Sequence, residues 1–115
     1  MPDFYERMAG RWLNDAIQEI LVAIMTAQKA MKKKPFGGAY LDEDAFVSAG
    51  AHVLNACDSL EQAGLTTKNK GLKAKTTKIR GELLKFVKSE HDVPLWIKET
   101  AGFGKEIEEL LHNIS

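Results

Sequence analysis

Hydrophobic residues recur along the whole chain at steps of three and four, which is the spacing of an amphipathic helix. Leu13, Ile17, Ile20 and Ile24 show this spacing near the N-terminus. Nowhere do apolar and polar residues alternate for long enough to predict a strand. Glycine, proline and polar residues divide the pattern into four segments, so it predicts an all-α chain of four helices.

The first helix is predicted over residues 3–33. Asp3 and Glu6 have the spacing of a capping box, in which each side chain accepts a hydrogen bond from the backbone of the other residue. The lysines at 32–34 suit the negative end of a helix dipole, and Pro35 with the glycines after it ends the helix. A connection of about eight residues is expected to follow.

Polar residues and glycine set the expected limits of the next two helices. Asp42 or Asp44 can cap the second helix, and Gly64 is expected to end it. The third helix is expected to open at Thr66 or Thr67, whose hydroxyls suit an N-cap. Only a short turn is therefore predicted between these two helices.

The fourth helix begins near Pro94, because proline is tolerated in a first turn and Asp92 can cap it. Gly102 and Gly104 lie inside this helix and leave open whether it is continuous or broken in two. Four amphipathic helices with short second and third connections are expected to pack as an antiparallel bundle. One domain covering residues 1–115 is the expected organisation.

The composition of the chain is that of an ordinary globular protein. Among its 115 residues, 44% are hydrophobic and 28% are charged. The longest apolar run, residues 20–27, is far shorter than the roughly 20 residues that a membrane span needs. The N-terminus lacks the basic and apolar regions of a secretory signal, and a single cysteine fits a reducing compartment. We therefore expect a soluble cytoplasmic protein without a membrane partner.

Charge is strongly segregated along a chain whose formal net charge is zero. Residues 68–80 carry six cations and no acid. The helical spacing places Lys70, Lys73 and Arg80 on one outward stripe. Such a stripe could follow the phosphates of a nucleic acid, because a local positive field attracts polyanions even when the whole molecule is neutral.

A second basic block, at residues 29–34, runs into two aromatic residues, Phe36 and Tyr40. Cations beside exposed aromatic rings are typical of surfaces that bind single-stranded nucleic acid. The residues predicted to contact nucleic acid are Lys70, Lys73, Lys75, Lys78, Arg80, Lys32, Lys33, Lys34, Phe36 and Tyr40. In a bundle whose helices alternate in direction, the two basic blocks lie toward opposite ends.

Small residues line one flank of the second predicted helix. Ala45, Ala49 and Ala56 recur along it, with His52 at the edge. Small side chains let another helix approach closely, so these four residues are a candidate interface with a second copy or another subunit. The alternative is a contact with a neighbouring helix of the same bundle.

Catalytic and metal-binding patterns are sparse. Glu109 and His112 form a single Glu-x-x-His spacing, whereas di-iron bundles need two. Cys57 and His52 lie about 140° apart around a helix, so their spacing does not predict a nucleophile and base. We expect no enzyme activity, metal or cofactor.

The functional prediction is a non-catalytic subunit or binding module. It contacts a nucleic-acid backbone without reading sequence and docks into a larger assembly. The alternative is an adaptor or inhibitor whose basic face binds an acidic protein. A face that lysines merely keep solvated also remains open.

Overall fold

The computed structural model describes residues 3–30, 32–33, 39–40, 43–89 and 92–114. These residues form four helices and a pair of two-residue strands. In chain order they are α1 (Phe4–Ala30), β1 (Lys32–Lys33), β2 (Ala39–Tyr40), α2 (Glu43–Thr66), α3 (Lys70–Lys88) and α4 (Val93–Ile114). The molecule is elongated, with extents of 55 × 21 × 20 Å.

The helices pack as the antiparallel bundle that the sequence predicts. Helix α1 contacts α2 and α4, and α3 contacts the same two helices. Among the described residues, α1 and α3 make no contact with each other, so they occupy one diagonal of the bundle. The predicted fold class is confirmed.

The contact between α1 and α2 is the most extensive in the bundle and is lined by alanine. Ala9, Ala16 and Ala23 recur every seven residues in α1 and are fully buried. In α2, the fully buried Ala49, Ala56 and Ala63 have the same spacing. Methyl side chains on both helices allow their backbones to approach closely.

Polar contacts near the middle and at one end of this seam fix its antiparallel register. His52 Nδ1 donates to Glu19 Oε2 at 2.7 Å, and Thr67 Oγ1 donates to Glu6 Oε1 at 2.7 Å. This register places the three alanines of α2 opposite those of α1. The seam is therefore a contact between two helices of the same chain.

Half of the predicted capping box is present at the start of α1. Asp3 Oδ1 accepts the backbone N–H of Glu6 at 2.9 Å, as an N-cap residue does. The Glu6 carboxylate does not complete the box; it accepts hydrogen bonds from Thr67 Oγ1 and from the backbone N–H of Lys68. Glu6 thus ties the start of α1 to the connection between α2 and α3.

That connection lies later in the chain than the sequence predicts. Helix α2 continues past Gly64 to Thr66, and α3 begins at Lys70 with Asn69 as its N-cap. Asn69 Oδ1 accepts the N–H of Leu72 at 3.1 Å. The expectation that a threonine opens α3 is wrong, because Asn69 is the N-cap. The Thr67 hydroxyl donates to Glu6 and accepts the N–H of Asn69 at 3.1 Å, ahead of the first turn of the helix.

Gly64 marks a close approach of α2 to α3. A Cβ at this position would lie 2.9 Å from Oγ1 of Thr76, a fully buried residue of α3. The Thr76 hydroxyl is held by a hydrogen bond of 2.9 Å to the Lys73 carbonyl. The glycine therefore permits helix packing where a helix end was predicted.

Helix α4 is continuous, so a break at Gly102 and Gly104 does not occur. Its start is as predicted, since Asp92 Oδ1 accepts the N–H of Leu95 at 2.8 Å. A Cβ at Gly104 would lie 3.2 Å from Ile20 Cγ2 in α1. Gly104 thus gives α1 room to pack against α4.

The end of the bundle opposite Glu6 contains a group of aromatic rings. Phe86 stacks on Trp96 with centroids 5.9 Å apart and lies 5.5 Å from Phe103, while Phe46 lies 6.5 Å from Trp96. These contacts join the start of α2, the end of α3 and the first half of α4 through apolar surface.

At this same end, α1 stops at Ala30 and not at residue 33 as predicted. Lys32 pairs with Tyr40 and Lys33 with Ala39 in an antiparallel ladder. Backbone pairing in this ladder replaces the last predicted turn of helix. The pairing also corrects the expectation that no strand forms.

We predict opposite effects of adding a methyl group at two glycines of α2. Gly64→Ala lowers the free energy of unfolding by about 1–2 kcal/mol, because the methyl group overlaps the Thr76 hydroxyl. Gly50→Ala raises the free energy of unfolding by about 0.5–1 kcal/mol, because alanine favours the helix. Apart from the local backbone, no atom lies within 4 Å of the added methyl group. Urea unfolding measures both, and equal shifts would contradict the close approach at Gly64.

We also predict that the Glu6 contact stabilises the bundle. Glu6→Ala lowers the free energy of unfolding by about 1–2 kcal/mol, since it leaves the Thr67 hydroxyl and the Lys68 N–H without this acceptor. Glu108→Ala, an exposed acid in α4, is the matched control and changes stability by less than about 0.5 kcal/mol. Equal effects of the two substitutions in urea unfolding would show that Glu6 acts only through its charge.

Candidate nucleic-acid interface

Helix α3 carries seven cations and one acid, and its packing decides which cations face outward. Leu72, Ile79 and Leu83 are buried on the side that faces the core. Exposed lysines lie on the opposite side, within about 60° of one direction around the helix. We call these residues the α3 ridge: Lys70, Lys73, Lys85 and Lys88.

The ridge has no carboxylate of α3 among its lysines. Glu82, the acid of this helix, lies on the side facing α4, where it lines a groove together with Glu106. From Lys70 to Lys88 the ridge extends about 27 Å along the helix axis. Its lysines form two pairs, Lys70 with Lys73 and Lys85 with Lys88, about 18 Å apart along the axis. Each pair can contact phosphates of a nucleic-acid backbone.

Two of the predicted contact residues, Lys73 and Arg80, border a shallow depression of about 190 Å³ between α2 and α3. Arg80 is turned toward α2: its Nη2 lies 3.5 Å from Glu61 Oε2, and its Nε is buried with no hydrogen-bond partner in the described part of the chain. An exposed pair of this kind contributes about 0.5 kcal/mol. Arg80 is thus less available to a phosphate than Lys73.

Lys75 and Lys78 lie on the other flank of α3. Both border a groove of about 230 Å³ between α3 and α4, in which Glu82, Glu106 and Glu109 also lie. Carboxylates near these lysines offset their positive field. The structure therefore separates the predicted basic stripe into an outward ridge and two flanks.

Lys68, the first cation of the basic stretch, packs on an aromatic ring. Its Nζ lies 4.1 Å above the ring centroid of Tyr5 in α1. A cation over the face of a tyrosine ring is held by the ring quadrupole, with a contribution of about 0.5–1 kcal/mol at an exposed site. Lys68 belongs to the contact between α1 and the connection before α3.

The sequence prediction did not include Lys85 and Lys88. It stopped at Arg80, because Glu82 ends the stretch without acids. Lys88 lies 18 residues, or five helical turns, after Lys70, so helical spacing alone places Lys70 and Lys88 on the same side of α3. The helical position of an acid, and not its place in the sequence, decides whether it interrupts a row of cations.

The second basic block lies at the far end of the bundle from the start of α3, as predicted. Lys32, Lys33 and Tyr40 have described backbones, and their pairing places Tyr40 in a strand and not in an open loop. Lys34 and Phe36 lie outside the described residues. The start of the α3 ridge therefore lies away from the strand of Lys32 and Lys33, whereas its end at Lys88 lies toward the same end of the bundle as that strand.

The candidate protein interface on α2 is largely inside the bundle. Ala49 and Ala56 have no exposed surface, so they are unavailable to a second protein in this fold, and their assignment to an interface is corrected. Ala45 is partly exposed. His52 is engaged by Glu19, whose Oε2 also accepts from Asn55 at 3.4 Å. The alternative, a contact with a neighbouring helix of the same bundle, accounts for the burial of Ala49 and Ala56.

Cys57 is a buried thiol in the core. Burial raises its pKa from 9.0 to about 11, the positive charge of Arg80 acts to lower it, and Asp58 acts to raise it. A thiol with this pKa is almost fully protonated near neutral pH and is a poor nucleophile.

Within the described ranges, no group of three or more histidine, cysteine, aspartate or glutamate side chains is placed to hold a metal ion. The helices described here also lack the length and apolar character to cross a membrane. Comparison of the chain with protein-family models, curated proteins and solved structures found no match.

We predict that native Cys57 resists alkylation. At about pH 8, a pKa of about 11 leaves roughly a hundredfold fewer thiolates than the ordinary value of 9.0. Labelling by iodoacetamide, followed by mass spectrometry, should therefore be at least about a hundredfold slower in the native protein than in urea. Comparable rates in the two states would contradict the buried, protonated thiol.

Proposed function

We propose that this chain is a non-catalytic binding module whose α3 ridge contacts the backbone of single-stranded nucleic acid. The observation that carries the proposal is two pairs of exposed lysines on the outward side of α3, near the start and the end of the helix, without a carboxylate of that helix among them. The remaining faces of the bundle are free to dock the module into a larger assembly.

The chemistry of the ridge suits backbone contact and not base reading. Lysine presents a compact charge on a flexible stem, and it lacks the planar fork with which arginine pairs bidentately. Contacts to phosphates set position and affinity but carry little sequence information. The predicted binding is therefore independent of sequence and sensitive to salt.

A second candidate partner is an acidic protein segment. It is favoured by a row of exposed apolar residues on α2, Val47, Leu54 and Leu65, which are 64%, 44% and 65% exposed. Their spacing places them on one side of the helix, and Leu65 borders the same depression as Lys73. Apolar surface beside a cation fits an amphipathic acidic helix.

The test is fluorescence anisotropy of a labelled, mixed-sequence single-stranded oligonucleotide, as RNA and as DNA. If four lysines each contact one phosphate, affinity should fall roughly fiftyfold between about 50 and 200 mM salt. The charge reversal Lys73→Glu/Lys85→Glu should abolish binding. Arg80 is left unchanged, because a glutamate there would face Glu61 and disturb the bundle.

The matched control is Lys98→Glu/Lys105→Glu, which reverses two exposed lysines of α4 and changes the net charge equally. This variant should bind like the unaltered protein. Equal loss in both variants would show that net charge and not the ridge matters. No binding at low salt, together with binding of an acidic amphipathic peptide that Leu54→Ser/Leu65→Ser abolishes, would favour the protein partner.

A further inference from the structure

The side of α1 that faces away from the bundle is apolar over part of its length. Leu21, Val22 and Met25 are 46%, 40% and 50% exposed, and residues 20–28 include no charge. The opposite side of this segment packs in the core through Ile20 and Ala23. A helix that is apolar on all sides is normally covered on all sides.

Two opposite charges flank this apolar surface at equal distances. Asp15 precedes Val22 by seven residues, and Lys29 follows it by seven. Both are exposed, and the heptad spacing puts all three on the same side of α1, with each charge about 10 Å from Val22 along the axis. Within about 10 Å of Val22, the charges on the outer side of α1 are therefore one acid before the apolar residues and one base after them. Arg11, which is exposed on the same side, lies farther away, about 16 Å from Val22 along the axis.

This order is complementary to itself when one copy is reversed. In an antiparallel pair of α1 helices that cross near Val22, Asp15 of each copy lies opposite Lys29 of the other. Two such ion pairs enclose the apolar residues of both copies. In a parallel pair, aspartate would face aspartate and lysine would face lysine.

We propose that two copies of this chain associate through the outer side of α1, in an antiparallel contact with twofold symmetry. A symmetric contact requires a patch that complements itself, and the positions of Asp15, Val22 and Lys29 meet this requirement. An unrelated partner would not require the two charges to be equidistant from the apolar centre.

This contact is compatible with the α3 ridge and does not rest on its function. Because α1 and α3 occupy one diagonal of the bundle, covering the outer side of α1 leaves the ridge exposed. The association would present two ridges on opposite sides of the pair.

Sedimentation velocity from about 5 to 200 µM protein tests the association. The unaltered chain should shift from monomer to dimer within this range. Val22→Glu should weaken the dimer at least about tenfold, because a carboxylate would be buried against its own copy. Leu95→Glu on α4 is the matched control and should leave the dimer unchanged, since Leu95 is 41% exposed, close to the 40% of Val22, and lies on another helix.

A charge exchange tests the antiparallel arrangement. Asp15→Lys alone and Lys29→Asp alone should each weaken self-association, because each places like charges opposite one another. The double variant Asp15→Lys/Lys29→Asp should restore self-association, because in an antiparallel pair each lysine again lies opposite an aspartate. In a parallel pair, like charges would still lie opposite one another. All substituted positions are exposed, and thermal unfolding followed by circular dichroism verifies that each variant is folded.

Three results would overturn the proposal. One is a monomer across the whole concentration range, and another is equal dimerisation of the Val22→Glu and Leu95→Glu variants. The third is a double variant, Asp15→Lys/Lys29→Asp, that associates no better than either single variant. None of these outcomes depends on whether nucleic acid binds.

Discussion

The close approach of α1 and α2 through alanine is the constraint on which the rest of the bundle depends. Methyl groups from both helices meet along the seam, and larger residues such as Leu13 and Leu60 fill the core beside it. Polar contacts of Glu19 and Glu6 fix the register of the seam. Once α1 and α2 are set, Gly104 and Gly64 allow α4 and α3 to pack against them.

Helix order then determines which surfaces face outward. The buried side of α3 is defined by its contacts with α2 and α4, so its remaining side carries the lysine ridge. The outer side of α1 lies on the same diagonal and carries the acid, apolar and base positions. The two proposed surfaces therefore point away from each other, and each can be tested without disturbing the other.

Local features of this fold could be predicted from sequence, and features that depend on distant residues could not. Asp3 and Asp92 cap helices as expected, because a cap involves residues three positions apart. The carboxylate of Glu6 accepts a hydrogen bond from a hydroxyl 61 positions away, and so it does not complete the capping box that the local spacing predicts. The sequence predicts a helix end at Gly64 and leaves open a break at Gly104, because it does not show which helix packs against a glycine.

By itself, the sequence determined four amphipathic helices, an all-α bundle and the separation of its charges, because helical periodicity and charge are local properties of the chain. Only the tertiary structure decided what each of those charges and small residues contacts. In the bundle, Arg80 lies against Glu61, and Lys85 lies on the exposed side of α3 with the other ridge lysines. Ala49 and Ala56 are buried between α1 and α2. A helical wheel gives the direction of a side chain, whereas the neighbouring helix decides whether that direction leads to solvent, to an ion pair or into the core.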